Sequence, residues 1–118
     1  MKQLWKEVLK PWGKYRILHE LPTTKVKELT VDAKQRLSYQ SHKHRSEVWV
    51  VVEGTATVTK DGLVSRHGLG EHIYIPQGAK HRLENEYNET LKVIEVQTGT
   101  YFGEDDIIRY EDDYNRLN

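Results

Sequence analysis

The side chains best suited to chemistry lie in two short segments, each built around histidine. The first segment, 40–47, contains Gln40, His42 and Glu47, and the second places His81 after a Pro-x-Gly turn. Alternate residues of a strand face the same side, so Gln40 and His42 are predicted to point together, while Glu47 and His81 open later strands. Such nitrogen and oxygen ligands suit zinc, iron, manganese, nickel or cobalt. We therefore predict a divalent metal site in the mouth of a barrel.

His44 is an alternative ligand in the first segment. It follows His42 by two residues and joins the same face if the strand continues, so it can exchange with Gln40. A set of fewer than six protein ligands leaves room for water or substrate, as a catalytic metal requires. The remaining histidines have no ligating neighbour in sequence and are predicted to be packed or solvated. They are His19, His67 and His72.

A scaffold of short strands must bring these residues together, and the composition favours one. Alanine is rare, whereas Val, Ile, Thr and Tyr are abundant, a bias that favours half-buried strands over helices. Short apolar or alternating runs separated by Gly, Pro and Asn turns predict an all-β sandwich or small barrel. The expected strands are 15–19, 25–31, 36–40, 47–52, 55–59, 72–75, 81–85 and 90–96.

Two turns and the carboxyl-terminal segment define the rest of the expected topology. The runs 47–52 and 55–59 are predicted to form a hairpin whose turn contains Gly54, and Lys60-Asp61-Gly62 predicts a second hairpin turn. The acidic segment 103–118 has the character of a solvated tail or a helical turn. Its Ile107-Ile108 pair and its aromatic residues favour packing onto the domain instead.

Length and composition restrict the class of protein. The 118 residues form one ordinary domain, and 18 Lys and Arg balance 18 Asp and Glu, so a nucleic-acid partner is not expected. The absence of cysteine excludes disulfides and thiolate metal sites. No apolar run approaches the roughly 18 residues that a membrane span needs, and the first residues do not form a signal peptide, so we expect a cytoplasmic protein.

The second histidine segment carries a motif of fixed spacing. Gly70, Pro76, Gly78, His81 and Asn85 match Gly-x5-Pro-x-Gly-x2-His-x3-Asn without departure. This string resembles the second motif of the cupin superfamily. The resemblance implies a double-stranded β-helix, or jelly-roll barrel, as a single domain over 1–118. We expect the barrel core at about 15–97 and a carboxyl-terminal extension at 98–118.

The first histidine segment fits the other cupin motif with two departures. Gly54 follows Glu47 by seven residues as that motif requires, but Lys34 stands where its leading glycine is expected and Gln40 stands where its first histidine is expected. The Lys34 departure leaves the preceding turn uncertain and removes no ligand.

The glutamine narrows the resemblance to the cupin domain of type II phosphomannose isomerases. That family has the pattern Gln-x-His-x2-Arg-x-Glu-His-Trp, and here only Val48 departs from it, in place of histidine. Further strings of the family occur at 11–15, 74–76, 95–101 and 103–109. The matching residues of the pattern are Gln40, His42, Arg45, Glu47 and Trp49.

The resemblance implies an isomerase that interconverts mannose 6-phosphate and fructose 6-phosphate through a cis-enediol. It assigns a divalent metal ion, zinc first and manganese, iron, cobalt or nickel otherwise, to Gln40, His42, Glu47 and His81. Gln40 is preferred to His44, because Glu47 then keeps the spacing of the motif. The family's bifunctional members begin with a nucleotidyltransferase domain, and this chain is expected to lack it.

The acid–base and phosphate-binding residues remain open at this stage. Arg109 follows an acidic string, so a structural ion pair is an equal interpretation, and Arg45 can instead support the metal ligands. The catalytic candidates are His44, Lys27, Glu95 and Arg109. The candidates for binding the substrate phosphate are Arg109, Arg45 and Lys43.

Two other functions and one assembly are consistent with the same sequence. A non-catalytic metal- or sugar-binding module is the main alternative, and a cupin oxygenase is a further one that the single pair of motif histidines disfavours. Exposed sheet edges favour a homodimer in which apolar residues near the amino terminus cover a partner's sheet. Those residues are Leu4, Trp5, Val8 and Leu9.

Overall fold

Strands make up most of the chain in the computed structural model, which describes residues 6–114. Between the described strands, the only helical element is a short 3₁₀ turn at Glu104–Asp106, and no helix in this part of the chain has the length and apolar character needed to cross a bilayer. The eleven strands are β1 (Glu7–Lys10), β2 (Gly13–Leu21), β3 (Thr24–Val31), β4 (Tyr39–His42), β5 (Arg45–Glu53), β6 (Ala56–Lys60), β7 (Leu63–His67), β8 (His72–Ile75), β9 (His81–Glu84), β10 (Leu91–Gly99) and β11 (Ile107–Glu111).

The strands form two antiparallel sheets that enclose the core. One sheet has the order β1-β2-β3-β10-β5-β8 and the other β11-β4-β9-β6-β7. Inward side chains alternate with outward ones, as the period of two requires. Along β5, for example, Trp49 and Val51 are buried while Val48 and Val50 are half-buried on the outer face. The buried apolar residues are Trp12, Leu29, Val31, Trp49, Val51, Ala56, Val58, Ile73, Ile75, Ala79, Leu83, Leu91 and Val93.

One predicted hairpin is confirmed and the other is wrong. β6 and β7 pair through a turn in which Asp61 and Gly62 both have positive φ, 48° and 84°. β5 and β6 do not pair, because β5 lies in the six-stranded sheet and β6 in the five-stranded one. The chain crosses between the sheets at Gly54, whose φ is 80° and where a Cβ atom would lie 2.5 Å from the carbonyl oxygen of Thr90. The sequence pattern cannot show whether two successive strands pair in one sheet or lie in opposite sheets, because in both cases each strand buries one face in the same core.

The turn that precedes the first histidine segment keeps a glycine-like backbone without glycine. Lys34, which stands where the motif has glycine, adopts a φ of 64°, in the left-handed region. Its backbone N–H donates to the carbonyl of Tyr87 at 3.2 Å, and its Nζ donates to the carbonyl of Glu86 at 2.7 Å. These two bonds tie the left-handed lysine to the loop that follows β9.

The carboxyl-terminal segment packs onto the domain, as its apolar residues predicted. β11 pairs antiparallel with β4, with Ile107 opposite His42 and Arg109 opposite Gln40. On its other side, β4 meets β9 at one register pair, Gln40 opposite His81. The extension therefore forms an edge strand beside the strand that carries two of the predicted metal ligands.

The amino-terminal part of the described chain adds a strand to the other sheet. β1 is an edge strand, and its Leu9 side chain is highly exposed while Val8 is half-buried. Leu4 and Trp5 lie outside the described residues. The homodimer expected from these four apolar residues therefore stays a prediction.

Asn85 fastens the loop after β9, and its removal is expected to destabilise the fold. Its buried Nδ2 donates to the carbonyls of Val31, Asp32 and Glu89 at 3.1, 3.2 and 2.6 Å, and its Oδ1 accepts the N–H of Tyr87 at 3.1 Å. Asn85→Ala removes these four bonds to the backbone and should lower the free energy of unfolding by about 3 kcal/mol in urea denaturation.

Asn88→Ala is the control, because Asn88 lies exposed in the same loop. It should change the free energy of unfolding by less than about 0.5 kcal/mol. Equal effects of the two substitutions would contradict the role given to Asn85.

Candidate metal centre

Three ligating side chains from both sheets meet in the interior of the barrel. His42 ends β4, Glu47 lies on β5 and His81 begins β9, and all three are almost completely buried. One possible ligand atom from each lies within 4.8 Å of the others, a spacing that could hold a metal ion. The Nε2 atom of His42 is 3.3 Å from Glu47 Oε2, and the Nε2 atom of His81 is 3.9 Å from Glu47 Oε1.

The hydrogen bonds of His81 leave one nitrogen available for a metal. Its Nδ1 lies 2.9 Å from the carbonyl oxygen of Ala79, so Nδ1 carries the proton and Nε2 has a free lone pair. Within residues 6–114 this buried Nε2 has no hydrogen-bond partner. Buried polar atoms without partners are rare, and a ligand ion would satisfy this one. The donor set thus fits a divalent cation.

Burial keeps both imidazoles in the neutral form that binds metals. It lowers the pKa of His42 to about 2, and the positive charge of Arg45 acts in the same direction. Burial also lowers the pKa of His81, and this outweighs the opposing hydrogen bond to Ala79. Neither ring therefore needs to lose a proton at neutral pH before a metal ion binds.

The two alternative ligands, Gln40 and His44, occupy different places. Gln40 lines the interior cavity together with Glu47, and its Oε1 accepts a hydrogen bond from Ser38 Oγ at 3.1 Å. His44 lies outside the group of three ligands, with 55% of its side chain exposed and its Nδ1 2.8 Å from Asp106 Oδ1. The structure therefore brings Gln40, and not His44, to the cavity that the buried ligands adjoin.

Two neighbours on the same strand hold the Glu47 carboxylate in place. Arg45 Nε donates to Glu47 Oε2 at 3.1 Å, and Trp49 Nε1 donates to Glu47 Oε1 at 3.1 Å. Arg45 Nη1 also donates to the carbonyl of Phe102 at 3.2 Å. The Arg45 guanidinium thus contacts the predicted ligand Glu47, and its role in supporting the metal ligands stays a prediction.

Lys43 and Val48, in and next to the first histidine segment, face away from the cavity. Lys43, a phosphate candidate, is exposed in the turn between β4 and β5 and does not line the cavity. Val48 lies on the outer face of the sheet, where Val96 and Tyr74 flank it on the neighbouring strands. The departure from the Glu-His-Trp pattern therefore affects the surface and leaves the ligand set intact.

Glu95 and Lys27 face each other across β10 and β3 on the cavity wall. They are register partners, and both are buried. Burial, followed by the negative charge of Glu47, raises the pKa of Glu95 to about 7. Trp49 Nε1 donates to Glu95 Oε2 at 3.1 Å, which links this carboxyl to Glu47. Burial lowers the pKa of Lys27, although the charge of Glu95 opposes the change.

Arg109 reaches the cavity with an unused donor. Its Nε is buried and has no hydrogen-bond partner in the described part of the chain. No ion pair joins it to Glu104, Asp105 or Asp106, although their position in sequence suggested one; Glu104 pairs with Lys10 and Asp106 with His44.

Several cavity residues were not identified as site residues from the sequence. Lys10, Trp12, Tyr15 and Glu104 line the cavity although they are far from the histidine segments in sequence. The sequence held one indication of Trp12 and Tyr15. The string at 11–15 matches the family but contains no ligating residue, which suggests that its residues serve the site in another way. The full cavity lining is Lys10, Trp12, Tyr15, Lys27, Leu29, Leu37, Ser38, Gln40, Arg45, Glu47, Glu95, Glu104, Ile107 and Arg109.

Comparisons with known sequences give one family. The family described as "Mannose-6-phosphate isomerase C-terminal" matches residues 1–112. The mannose-1-phosphate guanylyltransferase ManC of Salmonella typhimurium is 49% identical over 112 residues, which are 95% of this chain and 23% of ManC. The alginate biosynthesis protein AlgA of Pseudomonas aeruginosa is 46% identical over 110 residues, 93% of this chain and 23% of AlgA. The chain thus spans about a quarter of these relatives.

Comparison with solved structures confirms the expected fold. A Cupin 2 conserved barrel domain protein from Salinispora arenicola superimposes with a TM-score of 0.69 at 21% identity, covering 79% of this chain and 81% of that one. The all-β double-stranded β-helix expected from the two motifs is therefore correct.

Removal of a ligand should abolish metal binding. His81→Ala removes one donor from the group of three and Glu47→Gln replaces its carboxylate by a neutral amide, so each should reduce the metal retained after mild chelation by more than about tenfold. Elemental analysis of the purified, folded protein measures this content. His72→Ala, at an exposed histidine on β8, is the control and should retain the wild-type content. Full retention by both variants would show that the metal binds elsewhere.

Proposed function

The chain belongs to the mannose-6-phosphate isomerase C-terminal family, and we propose that it is a metal-dependent isomerase that interconverts mannose 6-phosphate and fructose 6-phosphate. One observation carries the proposal. The buried group of His42, Glu47 and His81 reaches a cavity through Glu47, and the cavity wall also holds a buried carboxyl, Glu95. Arg109 lines the same cavity, and its buried Nε has no hydrogen-bond partner within residues 6–114. This arrangement combines a cation site, a proton acceptor and an anion site, which are the three needs of phosphosugar isomerisation.

The ligands in this proposal are Gln40, His42, Glu47 and His81, and zinc is the first choice of divalent ion. A bound ion of this kind stabilises negative charge on substrate oxygens as a Lewis acid. Arg45 and Trp49 fix the direction of the Glu47 oxygens, so the ligand set is oriented before the ion enters. Ser38 does the same for the Gln40 amide oxygen.

Proton transfer is assigned to Glu95, with Lys27 beside it. Isomerisation removes a proton from the carbon next to the substrate carbonyl and returns it to the neighbouring carbon. A carboxyl group on the cavity wall, held by Trp49 and Gln97, can carry that proton between two adjacent carbons without turning. Lys27, its cross-strand neighbour, can donate a hydrogen bond to the substrate oxygens. His44 is half exposed and bound to Asp106, so it receives no role in proton transfer.

The substrate phosphate is assigned to Arg109. A guanidinium offers planar pairs of donors that match phosphate oxygens. Arg109 lines the cavity, and its buried Nε lacks a partner within residues 6–114. It lies opposite Gln40 on the neighbouring strand. A sugar phosphate bound here would keep its charged end on β11 while its carbonyl end points toward the ligand group.

Isomerase activity is the direct test of the proposal. A coupled assay should detect conversion of mannose 6-phosphate, and the activity should disappear on chelation and return with zinc or another divalent ion. Mannose without phosphate should be a poor substrate, and exclusion of oxygen should have no effect. A protein that binds metal and sugar phosphate without turnover would instead be a binding module, and a requirement for oxygen would indicate an oxygenase.

Replacement of Arg109 should weaken substrate binding more than turnover. Arg109→Ala should raise KM for mannose 6-phosphate by on the order of tenfold, because one charge-assisted hydrogen bond contributes about 1.5–3 kcal/mol. Arg109→Lys should recover part of the loss, since the charge is kept and the paired donors are lost.

Arg66→Ala is the control, because Arg66 is exposed and pairs with Glu86 away from the cavity. It should leave KM unchanged. If Arg109→Ala lowers only the melting temperature, with normal kinetics of the folded protein, Arg109 has a structural role and no part in phosphate binding.

A further inference from the structure

An ion pair between the two ends of the described chain lies on the cavity wall. The Nζ atom of Lys10, on β1, is 3.2 Å from Oε1 of Glu104, which begins the 3₁₀ turn before β11. Both residues line the cavity that also contains Arg109 and Lys27. The lysine side chain is 20% exposed and the glutamate side chain 53%, so the pair is accessible from solvent. An anion entering the cavity from solvent can therefore reach it.

Lys10 contacts the Glu104 carboxylate, and the charges of Lys27 and Arg109 also act on it. Partial burial alone would raise the pKa of Glu104, but the hydrogen bond from Lys10 and the positive charges of Lys10, Lys27 and Arg109 together lower it. The Nζ atoms of Lys10 and Lys27 lie 5.7 and 4.2 Å from the centre of the same Tyr15 ring. The carboxylate thus occupies a position of positive potential inside the proposed substrate cavity.

Stability alone gives little reason for this arrangement. Solvent-accessible ion pairs contribute little to the free energy of unfolding. Lys10 could make such a pair on the outer surface, as Lys14 does with Glu7 at 2.6 Å. Glu104 instead places a negative charge beside the basic residues of the cavity that a ligand phosphate would contact.

We propose that the Glu104 carboxylate occupies the phosphate subsite of the ligand-free protein, and that the phosphate of the substrate displaces it from Lys10. Lys10 is then a second phosphate-binding residue beside Arg109. This inference rests on the proposed function, because it takes a phosphorylated sugar as the ligand of the cavity.

The exchange also explains how the site selects its ligand. A phosphate monoester carries about 1.5 to 2 negative charges near pH 7, whereas the carboxylate that it replaces carries one. The cations therefore favour the phosphate over Glu104. A neutral sugar cannot displace the carboxylate, so Glu104 discriminates against ligands without phosphate.

Equilibrium binding of sorbitol 6-phosphate tests the inference without turnover, because this sugar alcohol has no carbonyl group to isomerise. Calorimetry at fixed ionic strength measures Kd for the metal-loaded protein. Glu104→Gln removes the competing charge and should lower Kd on the order of tenfold, whereas Lys10→Ala should raise it by a similar factor. In the double variant Lys10→Ala/Glu104→Gln most of the gain from the glutamine should be lost, since the two residues act on one another.

Glu7→Gln is the matched control, because it makes the same change of charge in a Lys–Glu pair that does not line the cavity. It should leave Kd within twofold of the wild-type value, and unphosphorylated sorbitol should gain nothing from Glu104→Gln. Thermal unfolding checks that each variant is folded.

The inference is overturned if Glu104→Gln leaves Kd within twofold, if it improves sorbitol equally, or if the wild-type protein does not bind sorbitol 6-phosphate at millimolar concentration. The isomerase assay fails or succeeds independently of these measurements. Tighter binding by Glu104→Gln in a protein without isomerase activity would support the phosphate subsite and refute the proposed function. Isomerase activity in a protein whose Kd is not changed by Glu104→Gln would support the proposed function and refute the phosphate subsite.

Discussion

The buried carboxylate of Glu47 is the constraint on which the interior depends. An ionised carboxylate inside a protein loses several kcal/mol of hydration unless donors or charges replace the water. Arg45 and Trp49 supply donors from the same strand, two residues to either side, so the alternation of β5 itself builds the support. His42 and His81 come from the facing sheet and lie close to the same two oxygens. The closure of the barrel around Glu47 therefore creates the ligand group in the same step that compensates its charge.

The same carboxylate shapes the chemistry of its neighbours. Glu95 shares the donor of Trp49 with Glu47, and burial together with the nearby negative charge keeps its proton bound up to near-neutral pH. Lys27 opposes that effect only in part, because its own burial disfavours its charged form. A charged ligand, a neutral imidazole pair and a carboxyl poised between two states thus share one buried site, where burial opposes charge on the imidazoles and burial together with Glu47 opposes charge on Glu95.

The sequence predicted the features that depend on local spacing and missed those that depend on distant contacts. Fixed intervals identified the turn residues and three of the four predicted ligands, which meet in the barrel. They could not show that Gly54 turns the chain into the other sheet, because a hairpin and a crossing leave the same alternation on both sides. They could not pair Lys10 with Glu104 either, since 94 residues separate them. The role of Arg45 stayed open because two-residue spacing shows that side chains share a face, not which atoms they touch.

β4, which carries two of the predicted ligands, is held in its sheet by few strand contacts. β4 meets β9 at a single register pair, and its other neighbour is β11, an edge strand at the end of the described chain. Edge elements commonly open by local unfolding at a lower free energy than the global transition. Fraying of β11 would release one side of the strand that carries Gln40 and His42, while the rest of the barrel stays closed. For the proposed metal ion, exchange with solvent would then be governed by the opening of this edge, and the lifetime of the loaded state would be set by a small part of the fold.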